Sequence, residues 1–259
     1  MLQKQQQQRL LNNVKLNYDL LIFEEVDSTQ SLAIRKINEL KNPTWILARK
    51  QINAVGRRGR RWLEYPGNFA ATLVLFPTEI QEELALRSFV ASLALFETLV
   101  IHTGKEAIFS LKWPNDVLLN GGKVAGILLQ TIRNKDGRQA LLIGIGVNLL
   151  KAPVIDLLDE QRVSPVSLFS ETGTQCAPDK FLATLVKRYD KLEQNFKMYG
   201  FSSIREAWLN KASHIGEIIT ARLPNREIVG RFDTVDKKGH LVLRTAYGVQ
   251  AIAAAEIFF

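Results

Sequence analysis

The sequence predicts an α+β fold: a mixed β-sheet flanked by helices, with a small β-barrel at the C-terminal end. Three observations carry this. Four apolar runs between 109 and 149 are separated by Pro114-Asn115, Asn120-Gly121-Gly122 and Asn134-Lys-Asp-Gly137. Those are turns of hairpin type, so the stretch reads as a meander. Two longer stretches, 82–103 and 178–211, carry apolar residues at helical spacing. From Ile215 the pattern changes to short strands at close intervals, the signature of a small barrel.

In chain order, residues 1–14 form a polar, Gln-rich lead-in. Tyr18-Asp-Leu-Leu-Ile-Phe23 is a buried strand. A helix follows Asp27-Ser28-Thr29, with Leu32, Ile37 and Leu40 on one face and Asn42-Pro43 as its stop. Trp45 to Ala48 and Phe69 to Phe76 are strands on either side of an Arg-rich loop, 53–61. Glu82 to Thr103 is one long helix, ended by Gly104. Strands are expected at Phe109–Trp113, Val117–Leu119, Lys123–Thr131 and Ala140–Leu149. The barrel strands are Ile218–Arg222, Glu227–Phe232, Leu241–Arg244 and Val249–Ile252, and a domain boundary falls near 212. The expected division is thus a lead-in over 1–14, a main domain over 15–211 and a barrel over 212–259.

Composition narrows the function. The 259 residues are 46% hydrophobic and 23% charged, with 34 Lys+Arg, 26 Asp+Glu and a formal charge of +8. That is a globular balance with an anionic partner implied: nucleic acid, nucleotide or acidic protein surface. The single cysteine, Cys176, excludes an internal disulfide framework and suggests a reducing compartment. No apolar run is expected to reach the roughly 18 residues of a spanning helix. The N-terminal residues lack the apolar core of a secretory signal. A cytoplasmic protein with no membrane segment is the expectation. The residues before the first strand also leave no room for a helix-turn-helix module.

Four constellations could carry chemistry. In Val55-Gly-Arg-Arg-Gly-Arg-Arg-Trp62, two glycines allow close backbone approach. Arg57, Arg58 and Arg60 offer planar donors for phosphate or carboxylate, and Trp62 a stacking face. A solvated basic turn beside a core tryptophan is the structural alternative. In Lys112-Trp-Pro-Asn-Asp116, a lysine held at a strand end could neutralise developing negative charge; otherwise it snorkels to water. Asp27-Ser28-Thr29-Gln30 suits an ordinary helix N-cap, and equally a small polar ligand. Gly144-Ile-Gly-Val-Asn148 is a poor dinucleotide fingerprint but a strand with room for a ligand, and Asn148 could read a base edge. His102, His214 and His240 show no ligand spacing, and no Gly-x-Ser-x-Gly elbow occurs. Covalent catalysis by a protein side chain is unsupported.

Taken in order, Asp27-Ser28-Thr29, Gln51, Gly56-Arg-Arg-Gly-Arg-Arg-Trp62, Lys112-Trp-Pro-Asn-Asp116, Lys123-Val-Ala-Gly126-Ile and Gly144-Ile-Gly-Val-Asn148 resemble the biotin protein ligases. The resemblance runs from about residue 20 to the C-terminal end and points to the form without an N-terminal DNA-binding domain. It implies a class II synthetase-like catalytic domain and an SH3-like barrel. The activity implied is ATP-dependent attachment of biotin to a lysine of a biotin carboxyl carrier protein, such as that of acetyl-CoA carboxylase, through biotinyl-5′-AMP. Biotin, ATP and Mg2+ would be required; the sequence does not identify the ligands of the metal, although Asp116 is a candidate. The enzyme would be a monomer or homodimer. Ser28, Thr29, Gln30 and Gln51 would hold the biotin ring, with Gly56 and Gly126 lining its pocket. Lys112, Arg57 and Arg58 would be catalytic, Arg57 and Lys112 touching both biotin and nucleotide. Arg60, Trp62 and Asn148 would address the nucleotide, Trp62 by stacking on adenine. The family loop usually reads Gly-Arg-Gly-Arg-Arg-Gly. Here Ala54 and Val55 fill its first two positions, and the missing arginine implies looser retention of the intermediate. A lipoate or octanoate ligase is the nearest enzymatic alternative, and a nucleic-acid-binding regulator the alternative from another class.

Overall fold

Alternation along one strand explains the architecture. In the segment Ala140 to Asn148, the odd-numbered residues Leu141, Ile143, Ile145 and Val147 are buried in the main apolar core. Ala140 and Leu142 join a second cluster on the opposite face, which then continues as Gly144, Gly146 and Asn148. The sheet therefore has one face built for packing and one that turns from apolar to bare along its length.

A computed structural model describes residues 18–63, 65–154 and 163–259. The lead-in expected over 1–14 lies outside the described residues. A seven-stranded sheet has the order β1 (Asp19–Phe23), β2 (Thr44–Ala48), β3 (Phe69–Leu75), β7 (Gln139–Val147), β6 (Gly122–Arg133), β5 (Asp116–Leu119), β4 (Phe109–Lys112). β1 and β2 are parallel and the other pairs antiparallel, so β4 to β7 form the expected meander. The β5–β6 turn uses Asn120 and Gly121, both at positive φ (49° and 79°), as a tight hairpin of this twist requires.

Helix α1 (Thr29–Lys36) covers the apolar end of the bare face through Leu32 and Ala33, against Ile46, Val74 and Leu142. It stops short of the expected Leu40. Helices α2 (Gln81–Ala85), α3 (Arg87–Thr103), α4 (Leu168–Thr172), α5 (Pro178–Tyr199) and α6 (Phe201–Leu209) complete the described set. α3, α5 and α6 supply the core with residues such as Leu95, Phe181 and Trp208. Two expected helices are each divided. Leu86 separates α2 from α3, and Gly200, at φ 70°, separates α5 from α6. The span 81–103 also overturns the expectation about apolar length. By length and composition it is long and apolar enough to cross a membrane. However, most of it is buried inside the protein, where it serves as core.

Beyond α6, β8 (Ile218–Arg222), β9 (Glu227–Val235), β10 (Leu241–Thr245), β11 (Gly248–Ile252) and β12 (Glu256–Phe258) form an antiparallel, SH3-like sheet in the order β11-β10-β9-β8-β12. Among the described residues its outer strands β11 and β12 are not paired to each other, so the ladder does not close into a barrel. Its inner residues, among them Ile219, Phe232 and Leu243, belong to the same core as the helices. Trp113 Nε1 donates to Gly239 O at 3.0 Å, tying the β4–β5 turn to this sheet.

One buried polar cluster supports the helical layer. Arg87, 1% exposed, meets Glu193 at 3.0 Å and Glu79 at 2.5 Å, and Tyr189 donates to Glu193 at 3.3 Å. Burial opposes the Arg87 charge, but the two carboxylates hold its pKa above the usual arginine value. Removing Glu193 leaves the buried Arg87 with Glu79 as its remaining carboxylate and takes this acceptor from the buried Tyr189 hydroxyl. Glu193→Ala is therefore expected to cost about 3–5 kcal/mol of stability, read as a lower urea midpoint. Unchanged stability would show that water reaches Arg87.

Candidate functional site

The bare part of the sheet becomes the floor of a cavity of about 540 Å3. Three glycines make that floor flat. Gly126 and Gly146 are paired neighbours on β6 and β7, and Gly144 lies two residues along. A Cβ at Gly146 would sit 2.6 Å from the Trp62 ring, and one at Gly144 would sit 2.7 Å from Gln30 Oε1. The Trp62 indole therefore lies directly over the Gly126–Gly146 pair. It forms part of the wall, whatever its other surfaces contact.

The end beside α1 is neutral and polar. Ser28 is the α1 N-cap, its hydroxyl accepting from the N–H groups of Gln30 (3.2 Å) and Ser31 (3.3 Å). Gln51 Oε1 accepts from Thr29 N–H at 2.7 Å and from Thr29 Oγ1 at 3.0 Å. Thr72 Oγ1 lies 2.9 Å from Thr29 Oγ1 and 3.3 Å from Gln30 Oε1, and Gln30 Nε2 donates to Gln130 at 3.4 Å. Just outside, Arg35 grips both oxygens of Asp27 and holds that carboxyl down at about 2.

The other end is cationic. The loop between β2 and β3 folds back on itself, with Gly56 N–H donating to Arg60 O and Trp62 N–H to Ala54 O. A one-turn 3-10 segment, Arg57–Gly59, forms its tip, with Arg58 at φ 57° and Gly59 at φ 72°. Arg57 turns inward and donates to Asn115 Oδ1 at 3.1 Å; burial pulls its pKa below the usual arginine value. Lys112, at the end of β4, is also half-buried. Burial lowers its pKa and nearby Lys123 adds to this, while Asp116 and Glu256 oppose it. Its ammonium lies 4.6 Å from the Phe259 ring centre. Lys123 pairs with Asp116 at 2.7 Å.

Every site residue expected from the sequence lines this one cavity: Ser28, Thr29, Gln30 and Gln51 at the polar end, Gly56, Arg57, Arg58, Arg60 and Trp62 on the loop, and Lys112, Gly126 and Asn148 on the sheet. Asn148 is 2% exposed; its Nδ2 donates to Val166 O at 3.1 Å, while its buried Oδ1 has no hydrogen-bond partner among the described residues. Four residues escaped the sequence reading: Thr72 and Gln130, hidden inside apolar strands, and Glu256 and Phe259 at β12. Glu256 meets Arg58 at 3.3 Å and both Nη atoms of Arg60. Among the described residues no group of three or more His, Cys, Asp or Glu could hold a metal ion. Cys176, 3.5 Å from His102 Nδ1, lies outside the cavity; burial pushes its thiol up and the imidazole down, away from a reactive thiolate pair.

Known proteins share the sequence and fold of this chain. Residues 22–148 match the Biotin/lipoate A/B protein ligase family, and residues 214–259 match the Biotin protein ligase C terminal domain. The biotin–[acetyl-CoA-carboxylase] ligase of Paracoccus denitrificans is 45% identical over 238 residues, 92% of this chain and 99% of that one. The bifunctional ligase/repressor BirA of Bacillus subtilis (strain 168) is 29% identical, over 92% of this chain and 73% of its own length. A biotin protein ligase from Aquifex aeolicus, solved in complex with biotin and ATP, superposes with a TM-score of 0.79 at 29% identity, covering 92% of this chain and 97% of that one. With a near-full-length relative at that identity and both of its segments matched, the chain belongs to the biotin/lipoate A/B protein ligase family.

Proposed function

We propose that the protein ligates biotin to a lysine of a carrier protein of the acetyl-CoA carboxylase type, in two steps through biotinyl-5′-AMP. The observation that carries this reading is one cavity with a neutral hydrogen-bonding end and a cationic end, joined by a glycine floor. A ureido ring needs donors and acceptors, and Ser28, Thr29, Gln30 and Gln51 supply them. A carboxylate at the far end of the same molecule needs cations, supplied by Arg57 and Lys112. A dithiolane would leave the polar end unpaired, which favours biotin over lipoate.

In the first step a biotin carboxylate oxygen forms a bond to the α-phosphorus of ATP, and the bond to the β-phosphate oxygen breaks, releasing pyrophosphate. Lys112 and Arg57 neutralise the charge gathering on the α-phosphoryl oxygens, and Arg58 and Arg60 face the outer phosphates. Trp62 and Asn148 bound the adenine, with the unpaired Asn148 Oδ1 offering an acceptor to its amino group. In the second step the carrier lysine amine attacks the acyl carbon. An amide forms, AMP leaves, and the amine loses its extra proton to solvent.

Mg2+ would accompany the ATP phosphates and offset their charge; among the described residues the carboxylates lining the cavity are Asp116, engaged by Lys123, and Glu256, engaged by Arg58 and Arg60, so neither is free to hold it. Residues 15–211 form the catalytic unit and 212–259 the C-terminal unit, and the site of action is the cytoplasm. Incubation with ATP, radiolabelled biotin and a carrier domain is expected to label the carrier. Calorimetry is expected to show binding of biotin and none of lipoate. Labelling that fails while lipoate binds would overturn the assignment.

A further inference from the structure

We propose that Glu256 is a positioning residue for the reaction: it anchors the arginine loop from the C-terminal sheet and so sets ATP affinity and retention of the adenylate. The inference rests on the function proposed above. Its basis is a three-point contact between parts of the chain 196–198 residues apart. Glu256 Oε2 receives Arg60 Nη2 at 2.6 Å and Arg58 Nη1 at 3.3 Å, and Oε1 receives Arg60 Nη1. The Arg60 contact is the two-pronged guanidinium–carboxylate arrangement, which fixes orientation as well as distance.

The two sides of this contact differ in rigidity. β12 pairs with β8 in register, Glu256 opposite Arg222 and Ile257 opposite Ala221. Ile257 is 4% exposed and rooted in the core, which leaves Glu256 presented from a fixed strand with its side chain 20% exposed. The loop tip has no core of its own: Val55 is 44% exposed, the 3-10 turn has no buried residue, and Arg58 and Arg60 are nearly half-exposed. Four arginines between 57 and 61 also repel one another. A carboxylate among them relieves that repulsion and holds Arg58 and Arg60 over the cavity before ATP arrives. The ordering cost then falls on folding rather than on binding. Phe259, the residue just after this strand, places its ring centre 4.6 Å from the Lys112 ammonium. The segment 256–259 thus touches both the loop cations and the fixed lysine.

The alternative is that Glu256 competes with the triphosphate for these arginines. The two readings differ in sign. If Glu256 positions the loop, Glu256→Gln raises KM for ATP and speeds escape of biotinyl-AMP, each about tenfold, and lowers kcat for adenylation by less than either, because Lys112 and Arg57 stay in place and lose only the more distant charge of Glu256. Glu256→Asp, which keeps the charge, recovers part of the affinity. In an Arg60→Gln background the Glu256→Gln change has a smaller effect than in the wild type, since the two-pronged contact is already gone and the Arg58 contact is left. Amide exchange in residues 53–62 is faster in Glu256→Gln with no substrate present, a readout independent of the activity. A lower KM for ATP in Glu256→Gln, an unchanged escape rate with unchanged exchange, or additive effects in the Arg60→Gln background would overturn the proposal. A wild-type protein that makes no biotinyl-AMP would instead overturn the functional reading, leaving the exchange experiment to decide the anchor.

Discussion

Lys112→Ala is expected to lower biotinyl-AMP formation about a thousandfold while leaving the protein folded. The ammonium sits at the end of β4, paired in register with Asp116, and is held half-buried by neighbours that do not depend on it. A fixed, half-buried cation stabilises charge that develops in the transition state far better than a mobile one in solvent. The variant therefore loses rate rather than stability, and its melting temperature should stay within a few degrees of wild type. Formation of biotinyl-AMP at the wild-type rate would remove Lys112 from the mechanism.

The same residue sets the alkaline limit of the reaction. Burial and the Lys123 charge lower its pKa, so its proton is lost at a lower pH than that of an exposed lysine, whose pKa is about 10.4. Catalysis needs the charged form. kcat/KM for ATP is thus expected to fall as pH rises, with a midpoint below the ordinary lysine value, because this ratio reports the free enzyme. Lys112→Arg keeps its charge to above about pH 12, so the limb should vanish in that variant whatever its residual rate.

What could be read from the chain follows from how local each signal is. The arginine loop, the lysine at a strand end and the glycine-lightened strand announce themselves because each needs unusual residue types at fixed spacing. All of them meet in one cavity. Glu256 gives no such signal: one acid in Ala253-Ala-Ala-Glu-Ile-Phe-Phe259 acquires meaning only when β12 folds beside a loop almost 200 residues earlier. Thr72 and Gln130 are hidden for a related reason. Each is a polar residue within an apolar strand, and strand alternation shows which face it takes but not that the start of α1 meets it there with the polar side chains of Thr29 and Gln30. The division of the long helices at Leu86 and Gly200 is a matter of tertiary packing for the first and of a readable glycine for the second.

The glycine floor yields a prediction that separates the two ends of the cavity. A methyl group at 146 would fall 2.6–2.8 Å from three atoms of the Trp62 indole, and Trp62 belongs to a loop that can give way. Gly146→Ala is therefore expected to push the indole off the floor and lower kcat/KM for ATP about a hundredfold, with a change in tryptophan fluorescence and little loss of stability. A methyl at 144 meets Gln30 Oε1 at 2.7 Å instead, with the Gln30 carbon at 3.5 Å. Gln30 is 6% exposed and sits on α1, so its amide can only turn within the polar end. Gly144→Ala should accordingly raise KM for biotin and leave KM for ATP nearly unchanged. The two positions are two residues apart on the same face of one strand, so a general disturbance of β7 would affect both substrates in both variants. A clean split, ATP for one and biotin for the other, requires the ligands to lie along β7 in the order the polar and cationic ends dictate. If both variants raise KM for the same substrate, that order is wrong.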